Sequence, residues 1–599
     1  MIVLGIHDGH NASAALLRDG ELVSAVQEER FTRLKNQGGM PTRAIDEVLD
    51  LAGVRRTDID AIAVADRYHY DQQWDRESVL RAFGSQGQTP ARIWAGHLPP
   101  VRAFRGRQLL ARRRARLSEH GFPVGKTDVI EHHECHAAAA YYGRGASAAP
   151  VLVLTADGVG DFLCASVNVG VDGRLRRIAA VPDLHSLGIL YAKVTLLMGM
   201  VPLEHEHKIM GLAPYGAKSS VPTERIKEKL LSLYAFTEDG LGWVTVDRNR
   251  TMAGPLDFLK ELIDRERFDC IAAGLQLFLE EMIVTWVENC VRKTGIRDVA
   301  LGGGVFMNVK ANKRVLESPE VGSLFVMPSC GDETNSIGAA YAASTLRQAR
   351  QGKSPTRIRP LGHLYLGRTI TDAQAEIALE NCGADGAVCW ERSDDPEREV
   401  ARLLADGHVV ARAVGPMEFG ARALGNRSIL ANPAQPGVAA LINDMIKDRD
   451  FWMPFAPSVL AERSEEYYDK PKPVSAPYMT LTFDARPGKR DALRAACHPT
   501  DHTLRPQEVT QESNPSYHRL LRHVAELTGE AVVLNTSFNL HGFPIVSTAE
   551  DALDVFRRSG LEFMQLANFI VRKQTTSPAS TNGSTSSDEV ASSDDVYAG

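Results

Sequence analysis

Short apolar segments separated by turns fill the first part of the chain. Residues 1–6, 13–17 and 21–27 predict three strands, with the turn Asp19-Gly20 between the second and the third. Residues 42–51 carry apolar side chains at helical spacing, and residues 61–65 predict a further strand. Hairpin strands followed by alternating helices and strands are typical of an α/β domain.

A second series of the same kind starts near Lys126. Strands are predicted at residues 127–131, 151–155, 163–169, 299–301 and 324–327, and helices at 186–198, 271–291 and about 332–350. Two similar halves would suit a duplicated ribonuclease-H-like fold, although periodicity alone leaves other α/β arrangements open.

A stretch containing Gly and Pro at residues 351–360 is typical of a linker. A second α/β region follows, and the end of the chain is rich in Ser, Thr and Asp and poor in large apolar side chains. We therefore predict a first domain over residues 1–355, a second over 356–573 and a disordered tail over 574–599.

The bulk composition argues against several classes of partner. The 599 residues are too many for one hydrophobic core, and the net charge of −7 gives no basic excess for a nucleic acid. The sequence has no run of about 18 to 20 apolar residues, so no membrane span is expected, and its start lacks the pattern of a signal peptide. The eight cysteines are scattered without a CxxC pair, which is typical of reduced thiols in a cytoplasmic protein.

The sharpest local signal is the segment Glu131-His132-His133-Glu134-Cys135-His136. His132 and His136 are four apart, so on a helix both imidazoles share one face and could bind one metal ion. Asp157 and Asp332 follow apolar runs, and carboxylates at strand ends often line a ligand crevice; a helix N-cap is the alternative for each. Two imidazoles and two carboxylates suit a divalent ion such as iron, manganese or zinc.

Other turns carry candidate binding groups. Gly303 and Gly304 precede a helix and Asn308, and glycines there let a backbone approach a nucleotide; close helix–strand packing is the alternative. His10 could act as a general base because its unperturbed pKa lies near neutrality. The C-terminal region adds polar groups at separate turns that together suit a phosphate or another oxyanion. They are Arg422, Asn443, Lys447, Arg449, Arg505, Asn535 and Ser537.

Together these motifs resemble the carbamoyltransferases of antibiotic tailoring and nodulation, over about residues 1–573. The motifs, in the family's order, are His10-Asn11-Ala12-Ser13, Glu28-Glu29-Arg30-Phe31 with Lys35, His132-His133-x-x-His136, Asp157-Gly158, Glu206-x-Lys208-x-Met210, Gly303-Gly304-Val305-x-x-Asn308, Gly331-Asp332, Gly420-Ala421-Arg422, Arg505-Pro506-Gln507 and Asn535-Thr536-Ser537. The resemblance implies an α/β fold: a duplicated actin-like, ribonuclease-H-like ATPase domain similar to the tRNA threonylcarbamoyl transferase, then a domain similar to threonylcarbamoyl-AMP synthase.

The resemblance also implies an activity. Carbamoyl phosphate would be cleaved in the C-terminal domain, and the carbamate would react with ATP, supplied with Mg, to give carbamoyl-adenylate. The carbamoyl group would then pass through an internal channel to a hydroxyl of a small molecule, a secondary metabolite that the sequence does not identify. Neither a nucleic acid nor a membrane is expected as a partner, and a homodimer is an open alternative.

Residue roles follow by motif. His132, His136, Asp157 and Asp332 would hold iron(II) or another divalent metal, and His10 would take the proton of the acceptor hydroxyl. The nucleotide would contact Lys35, Gly303, Gly304 and Asn308. Carbamoyl phosphate would contact Arg422, Lys447, Arg505 and Ser537, with Asn443, Arg449 and Asn535 beside them. The acceptor pocket would use the loops at 66–125 and 217–265. Residues 70–125 carry many arginines, and from the sequence alone they are interpreted as a solvated helical insert, with a wall over an acceptor pocket as the alternative. A tRNA-modifying enzyme and a non-catalytic nucleotide- or metal-binding protein are the alternatives.

Overall fold

The computed structural model describes residues 1–68, 76–84, 98–247, 256–352, 358–382 and 387–574. Except for residue 574, the predicted tail lies outside the described residues, as do parts of the loops at 66–125 and 217–265. The described chain is an α/β structure built mainly on three sheets.

The first sheet is formed by the apolar segments at the start of the chain. Its strands are β1 Ile2–His7, β2 Ser13–Arg18, β3 Glu21–Gln27, β4 Ala61–Ala65 and β5 Thr127–Ile130. They are ordered β3-β2-β1-β4-β5. Strands β1 to β3 form an antiparallel meander, and β4 and β5 continue parallel to β1.

The second sheet has the same arrangement. Its strands are β6 Val151–Gly160, β7 Leu163–Val171, β8 Arg174–Pro182, β11 Asp298–Gly302 and β12 Ser323–Val326, while β9 Tyr234–Phe236 and β10 Trp243–Thr245 pair separately. The order is β12-β11-β6-β7-β8, with β6 to β8 antiparallel and β11 and β12 parallel to β6. Each sheet thus has a three-stranded meander extended by two parallel strands.

Seventeen described α-helices connect and cover the sheets. They are α1 Glu29–Thr32, α2 Thr42–Ala52, α3 Arg76–Gly84, α4 Pro99–Glu119, α5 His132–Arg144, α6 Leu187–Leu197, α7 Glu206–Gly216, α8 Ser220–Leu231, α9 Asp257–Ile263, α10 Phe268–Thr294, α11 Val309–Glu317, α12 Asn335–Arg350, α13 Asp372–Cys382, α14 Pro396–Ala405, α15 Val438–Ile442, α16 Pro515–Thr528 and α17 Ala549–Arg558.

Two helices pack closely between the first two sheets. Helix α12 lies against β1 and β4 and against α5, which in turn lies against β6 and β11. Glycines permit these contacts, because a Cβ on Gly5 would fall 1.9 Å from the Ser336 carbonyl oxygen and one on Gly338 would fall 1.9 Å from the Cys135 carbonyl oxygen. The packing fixes the start of α5, and with it the two histidines, against the start of α12.

Helix α10 is the one described helix that is long and apolar enough to cross a membrane by length and composition alone. It is mostly buried: Phe278, Ile283 and Trp286 are fully inaccessible in the core, and Trp286 packs edge-on against Trp243. Its apolar surface is therefore used in core packing.

The third sheet organises the C-terminal region. Its eight strands, in spatial order, are β14 Val388–Arg392, β25 Phe569–Lys573, β24 Phe563–Leu566, β15 Val410–Ala413, β17 Arg427–Ala431, β23 Val532–Ser537, β18 Ala456–Leu460 and β22 Gln507–Val509. Smaller sheets pair β13 Tyr365–Ile370 with β16 Gly415–Glu418, and join β19 Tyr468–Asp469, β20 Phe483–Ala485 and β21 Thr503–Leu504.

The apolar patterns located most elements to within a few residues, and two interpretations need correction. Asp157 does not follow its strand: β6 continues through it to Gly160, with an irregularity in pairing between Ala156 and Gly160. The arginine-rich segment is helical where it is described, but Arg113 is not a solvated side chain. It is buried against Asp8, because an arginine can enter a core when a carboxylate pairs with it.

Candidate functional site

Four side chains from three parts of the chain converge at one point. Ligand atoms of His132, His136, Asp157 and Asp332 all lie within 4.8 Å of one another. The Nε2 atom of His136 lies 3.1 Å from His132 Nε2, 3.1 Å from Asp157 Oδ2 and 3.4 Å from Asp332 Oδ1. Ligands bound at about 2.0–2.2 Å to one ion are separated by roughly 3–3.5 Å, so these spacings fit a single divalent ion.

The local fold explains this convergence. Both histidines lie in the first turns of α5, whose N-terminus is capped by the Glu131 carboxylate accepting from His133 N and Glu134 N. Asp157 lies in β6, at the centre of the second sheet, and Asp332 begins the short 3₁₀ turn before α12. The structure thus brings together the four side chains that the sequence grouped, and metal binding by them stays a prediction.

A carboxylate that sequence reasoning missed orients one of the imidazoles. Asp66 directly follows β4, and its Oδ1 lies 2.7 Å from His132 Nδ1. Such a contact fixes which ring nitrogen of a histidine faces a metal. The available signal was the same one that drew attention to Asp157 and Asp332, namely a carboxylate directly after an apolar run.

A second missed carboxylate fixes the surrounding backbone. Asp161 accepts hydrogen bonds from Arg67 N and Tyr68 N, both at 2.8 Å, and from His132 N at 2.9 Å. It thereby joins the segment after β4 to the start of α5, so that Asp66 and His132 meet.

The electrostatics of the quartet favour a bound cation. Burial alone would lower the pKa of His132, but the carboxylates of Asp66 and Asp332 outweigh it, and the pKa lies well above its ordinary value. Burial alone would raise the pKa of Asp157, but the hydrogen bond and charge of His136 and the charge of His132 hold it well below its usual range. In the absence of metal the His132 imidazole therefore retains a proton that a divalent ion would displace, while Asp157 is already a carboxylate.

His10 lies in the turn between β1 and β2, close enough to the quartet for the charges of Asp332 and Asp157 to act on it. The neighbouring His7 has its Nε2 2.9 Å from the His10 carbonyl oxygen, and Asp8 accepts a 2.7 Å hydrogen bond from Arg113 Nε. The pKa of His10 is lowered by burial, only partly offset by the charge of Asp332. A neutral imidazole near the quartet suits a proton acceptor.

The glycine-rich turn packs against the quartet. The amide of Gly304 donates to Asp157 Oδ2 at 2.7 Å, and Gly303 has φ +100° and no room for a Cβ, which would lie 2.3 Å from the Ala156 carbonyl oxygen. Asn308 caps α11 through Ala311 N and exchanges hydrogen bonds of 2.8 and 3.0 Å with Gln276. These contacts account for the residue types locally, and nucleotide binding at this turn stays a prediction.

The predicted oxyanion groups of the C-terminal region form a cation cluster, which we define as Arg422, Lys447, Arg449 and Arg505 together with Lys35. Desolvation, together with the charge of cluster neighbours, lowers the pKa of Lys447 and of Arg505 well below their ordinary values. Among the described residues, neither Arg422 nor Arg505 has a hydrogen-bonding or ion-pairing partner. An anion bound here would offset the repulsion.

The neutral groups predicted for this site line the same region. Lys447 Nζ donates to Ser537 Oγ at 3.2 Å, and Arg449 Nη2 donates to Thr536 Oγ1 at 3.0 Å. Asn535 donates from Nδ2 to three acceptors, while its Oδ1, like the Oδ1 of Asn443, is buried without a hydrogen-bond partner among the described residues. Both carbonyl oxygens therefore remain able to accept from a ligand.

Lys35 and His207 lie close to the cation cluster, and the sequence did not predict this. Lys35 was predicted at the nucleotide, yet it is one of the charges that depress the pKa of Lys447 and of His207. The pKa of His207 lies well below its ordinary value through desolvation and the charges of Arg422, Arg449 and Lys35. Both residues come from the N-terminal part, so the cluster is formed from both parts of the chain.

Comparisons with known proteins show which sequences this chain resembles. Residues 2–341 match the family model described as carbamoyltransferase N-terminus, and residues 401–573 match the one described as carbamoyltransferase C-terminus. The nodulation protein NolNO of Sinorhizobium fredii is 32% identical over 95% of this chain and 80% of its own length. An uncharacterised protein of Synechocystis is 31% identical over 94% of this chain and 95% of its own.

A comparison with solved structures gives only partial superpositions. HypF in its phosphate- and nucleotide-bound form superposes with a TM-score of 0.30 and 13% identity, covering 58% of this chain and 55% of its own. That likeness is too limited to carry an argument about fold or function.

Proposed function

Because the chain belongs to the carbamoyltransferase family, we propose that it carbamoylates a hydroxyl of a small molecule, using carbamoyl phosphate and ATP. The observation that carries the proposal is the presence, in one chain, of two buried histidines that meet two carboxylates and of a cation cluster in which neither Arg422 nor Arg505 has an ion-pairing partner among the described residues.

The proposed reaction has three balanced steps. Water cleaves carbamoyl phosphate to carbamate and phosphate. An oxygen of carbamate attacks the α-phosphorus of ATP, giving carbamoyl-adenylate and pyrophosphate. The acceptor oxygen then attacks the carbamoyl carbon, AMP leaves, and the acceptor proton passes to a base. Carbamate is unstable in water, so an enclosed route between the sites would protect it.

The cation cluster suits the first step. Arg422, Arg449 and Arg505 would hold the phosphate, because guanidinium groups bind phosphate oxygens in pairs. Lys447 would neutralise charge on the departing phosphate, and Ser537, 3.2 Å from its Nζ, would be within reach of the same oxygens.

The quartet suits the ATP-dependent steps. Two imidazoles and two carboxylates would hold iron, manganese, zinc or a similar divalent ion, which would supply Lewis acidity toward nucleotide phosphate. The carboxylate of Asp66 would keep His132 Nε2 directed at the ion. We propose that the nucleotide binds beside the turn at Gly303 and Gly304. The amide of Gly304 donates to Asp157, so this turn is adjacent to the quartet.

His10 would accept the proton of the acceptor hydroxyl. A cavity of about 240 Å³ lies close to its loop, lined by Arg67, Tyr68, Gly106, Arg107 and Arg113 among others. Arg113 connects this cavity to the loop, because it donates to Asp8. We propose this cavity for the acceptor; its arginines favour a neutral or anionic molecule over a polyamine.

The proposal also includes a domain type and a location in the cell. The shared strand order of the first two sheets supports a duplicated, actin-like ATP-binding domain. A cytoplasmic location would suit the use of ATP and carbamoyl phosphate.

The test is the fate of ATP. Purified protein with a divalent metal, ATP and carbamoyl phosphate should release AMP and pyrophosphate, and omitting carbamoyl phosphate should abolish both. Release of ADP and phosphate, or pyrophosphate independent of carbamoyl phosphate, would contradict the proposal.

A further inference from the structure

The segment that leads into Arg422 is fixed by side chains of the N-terminal part. Gly420 donates its amide to Gln27 Oε1 at 3.1 Å and accepts at its carbonyl from Arg30 Nη2. Gln27 Oε1 also accepts from Arg30 at 2.9 Å, and both side chains are buried. Two polar groups on one peptide segment are thus matched by a preassembled pair from β3 and α1.

The next residue is fixed from the loop that carries Asp332. Ala421 donates its amide to Ser329 Oγ at 2.9 Å, and the Ser329 hydroxyl donates to the buried carboxylate of Glu333. Glu333 follows Asp332 directly. A single hydroxyl therefore joins the backbone beside Arg422 to the turn that places a quartet side chain.

The approach at this junction leaves no room for adjustment. Gly420 has φ +99°, and a Cβ on it would lie 2.4 Å from both Cβ and Oγ of Ser329. Only glycine combines this backbone conformation with such close contact.

We propose that Ser329, with Gln27 and Arg30, positions Arg422 for carbamoyl phosphate, so that this site is completed by the N-terminal part of the chain. The inference rests on the proposed function. Ser329 is a positioning residue: its one hydroxyl proton is donated to Glu333, and it acts on Arg422 through the Ala421 amide that it accepts from.

Carbamoyl phosphate binding should therefore depend on the Ser329 hydroxyl. Loss of the Ser329 hydroxyl leaves the Ala421 amide without its acceptor and loosens the segment beside Arg422. It also removes a donor to Glu333, but the contacts of the Asp332 carboxylate are with His132 and His136, so metal binding should be retained. The hydrogen bond from Ala421 to Ser329 is partly buried, and its loss is expected to weaken carbamoyl phosphate binding by about 2- to 12-fold, the equivalent of about 0.5–1.5 kcal/mol.

The test compares Ser329→Ala with the matched control Ser24→Ala. Ser24, in β3, is also buried and donates one hydrogen bond, to the Val48 carbonyl of α2 at 2.9 Å. Pyrophosphate release is measured against carbamoyl phosphate and against ATP, and metal content is measured for each variant.

We expect Ser329→Ala to raise the KM for carbamoyl phosphate severalfold, with metal content and the KM for ATP unchanged, and Ser24→Ala to match the wild type. Equal carbamoyl phosphate KM values in both variants would overturn the inference while leaving the proposed function intact. A wild-type protein that does not use carbamoyl phosphate would overturn both. If Ser329→Ala does not fold, Gln27→Ala provides the same comparison through the Gly420 amide.

Discussion

Replacing Asp66 with asparagine removes one negative charge beside a proposed metal ligand. The same charge also lies beside His7, whose Nδ1 is 3.6 Å from Asp66 Oδ2. Asp66 has φ +68°, a left-handed conformation that asparagine adopts more readily than most residues, so the backbone should be preserved. An amide oxygen can still accept from His132 Nδ1, now 2.7 Å from the carboxylate, but without its charge.

The expected effect is a weaker metal site in an intact fold. Loss of a group that hydrogen-bonds a metal-binding histidine typically costs 10- to 100-fold in metal affinity. Because asparagine keeps an oxygen acceptor, we expect about tenfold, or about 1.4 kcal/mol. Metal affinity is measured by calorimetric titration or by competition with a chromophoric chelator.

Asp172→Asn provides the control. Asp172 also has a left-handed backbone, with φ +49°, but it is exposed in the turn between β7 and β8. It should bind metal like the wild type. Equal metal affinity in Asp66→Asn, Asp172→Asn and the wild type would refute the role assigned to Asp66.

Three further predictions concern the chemistry. Arg422→Ala should lower kcat/KM for carbamoyl phosphate about 10- to 100-fold, since it removes charged hydrogen bonds to phosphate, while metal content stays unchanged; loss of metal in parallel would contradict separate sites. His10→Ala should slow transfer to the acceptor by about 10²–10⁴-fold but leave pyrophosphate release intact. Burial lowers the pKa of His10, so the imidazole stays neutral at and above the ordinary histidine value of about 6.5. Wild-type transfer should therefore fall only as the pH drops below that value. In a panel of hydroxylated compounds analysed by mass spectrometry, neutral or acidic acceptors should be carbamoylated in preference to polyamines, and Arg107→Ala should weaken that preference; efficient carbamoylation of polyamines alone would exclude the proposed acceptor cavity.

The elements of the fold were largely predictable because their signals are local. Residues 61–65 are a continuous apolar run and form β4 with the predicted bounds, and the helix predicted at 42–51 is α2, Thr42–Ala52. The strand order within the sheets, by contrast, depends on strands that are more than 100 residues apart in the sequence. In the second sheet β6 pairs with β11, and no local pattern specifies that pairing.

In the site, too, features with a local sequence signal were predictable, and features that depend on long-range contacts were not. The spacing of His132 and His136 is a helical signal, and both residues do lie in one helix, α5. Asp66 was missed because its role depends on the contact with His132, which requires β4 and α5 to be adjacent. Arg113 was misinterpreted for a similar reason: in the sequence it is one arginine among many, and only the fold pairs it with Asp8.

The proposed function requires a single metal ion bound by the quartet. A crystal structure with the metal supplied, using anomalous scattering at its absorption edge, should show one peak about 2.0–2.3 Å from His132 Nε2, His136 Nε2 and a carboxylate oxygen of each of Asp157 and Asp332. Anomalous density elsewhere, or these four side chains directed away from any ion, would contradict it.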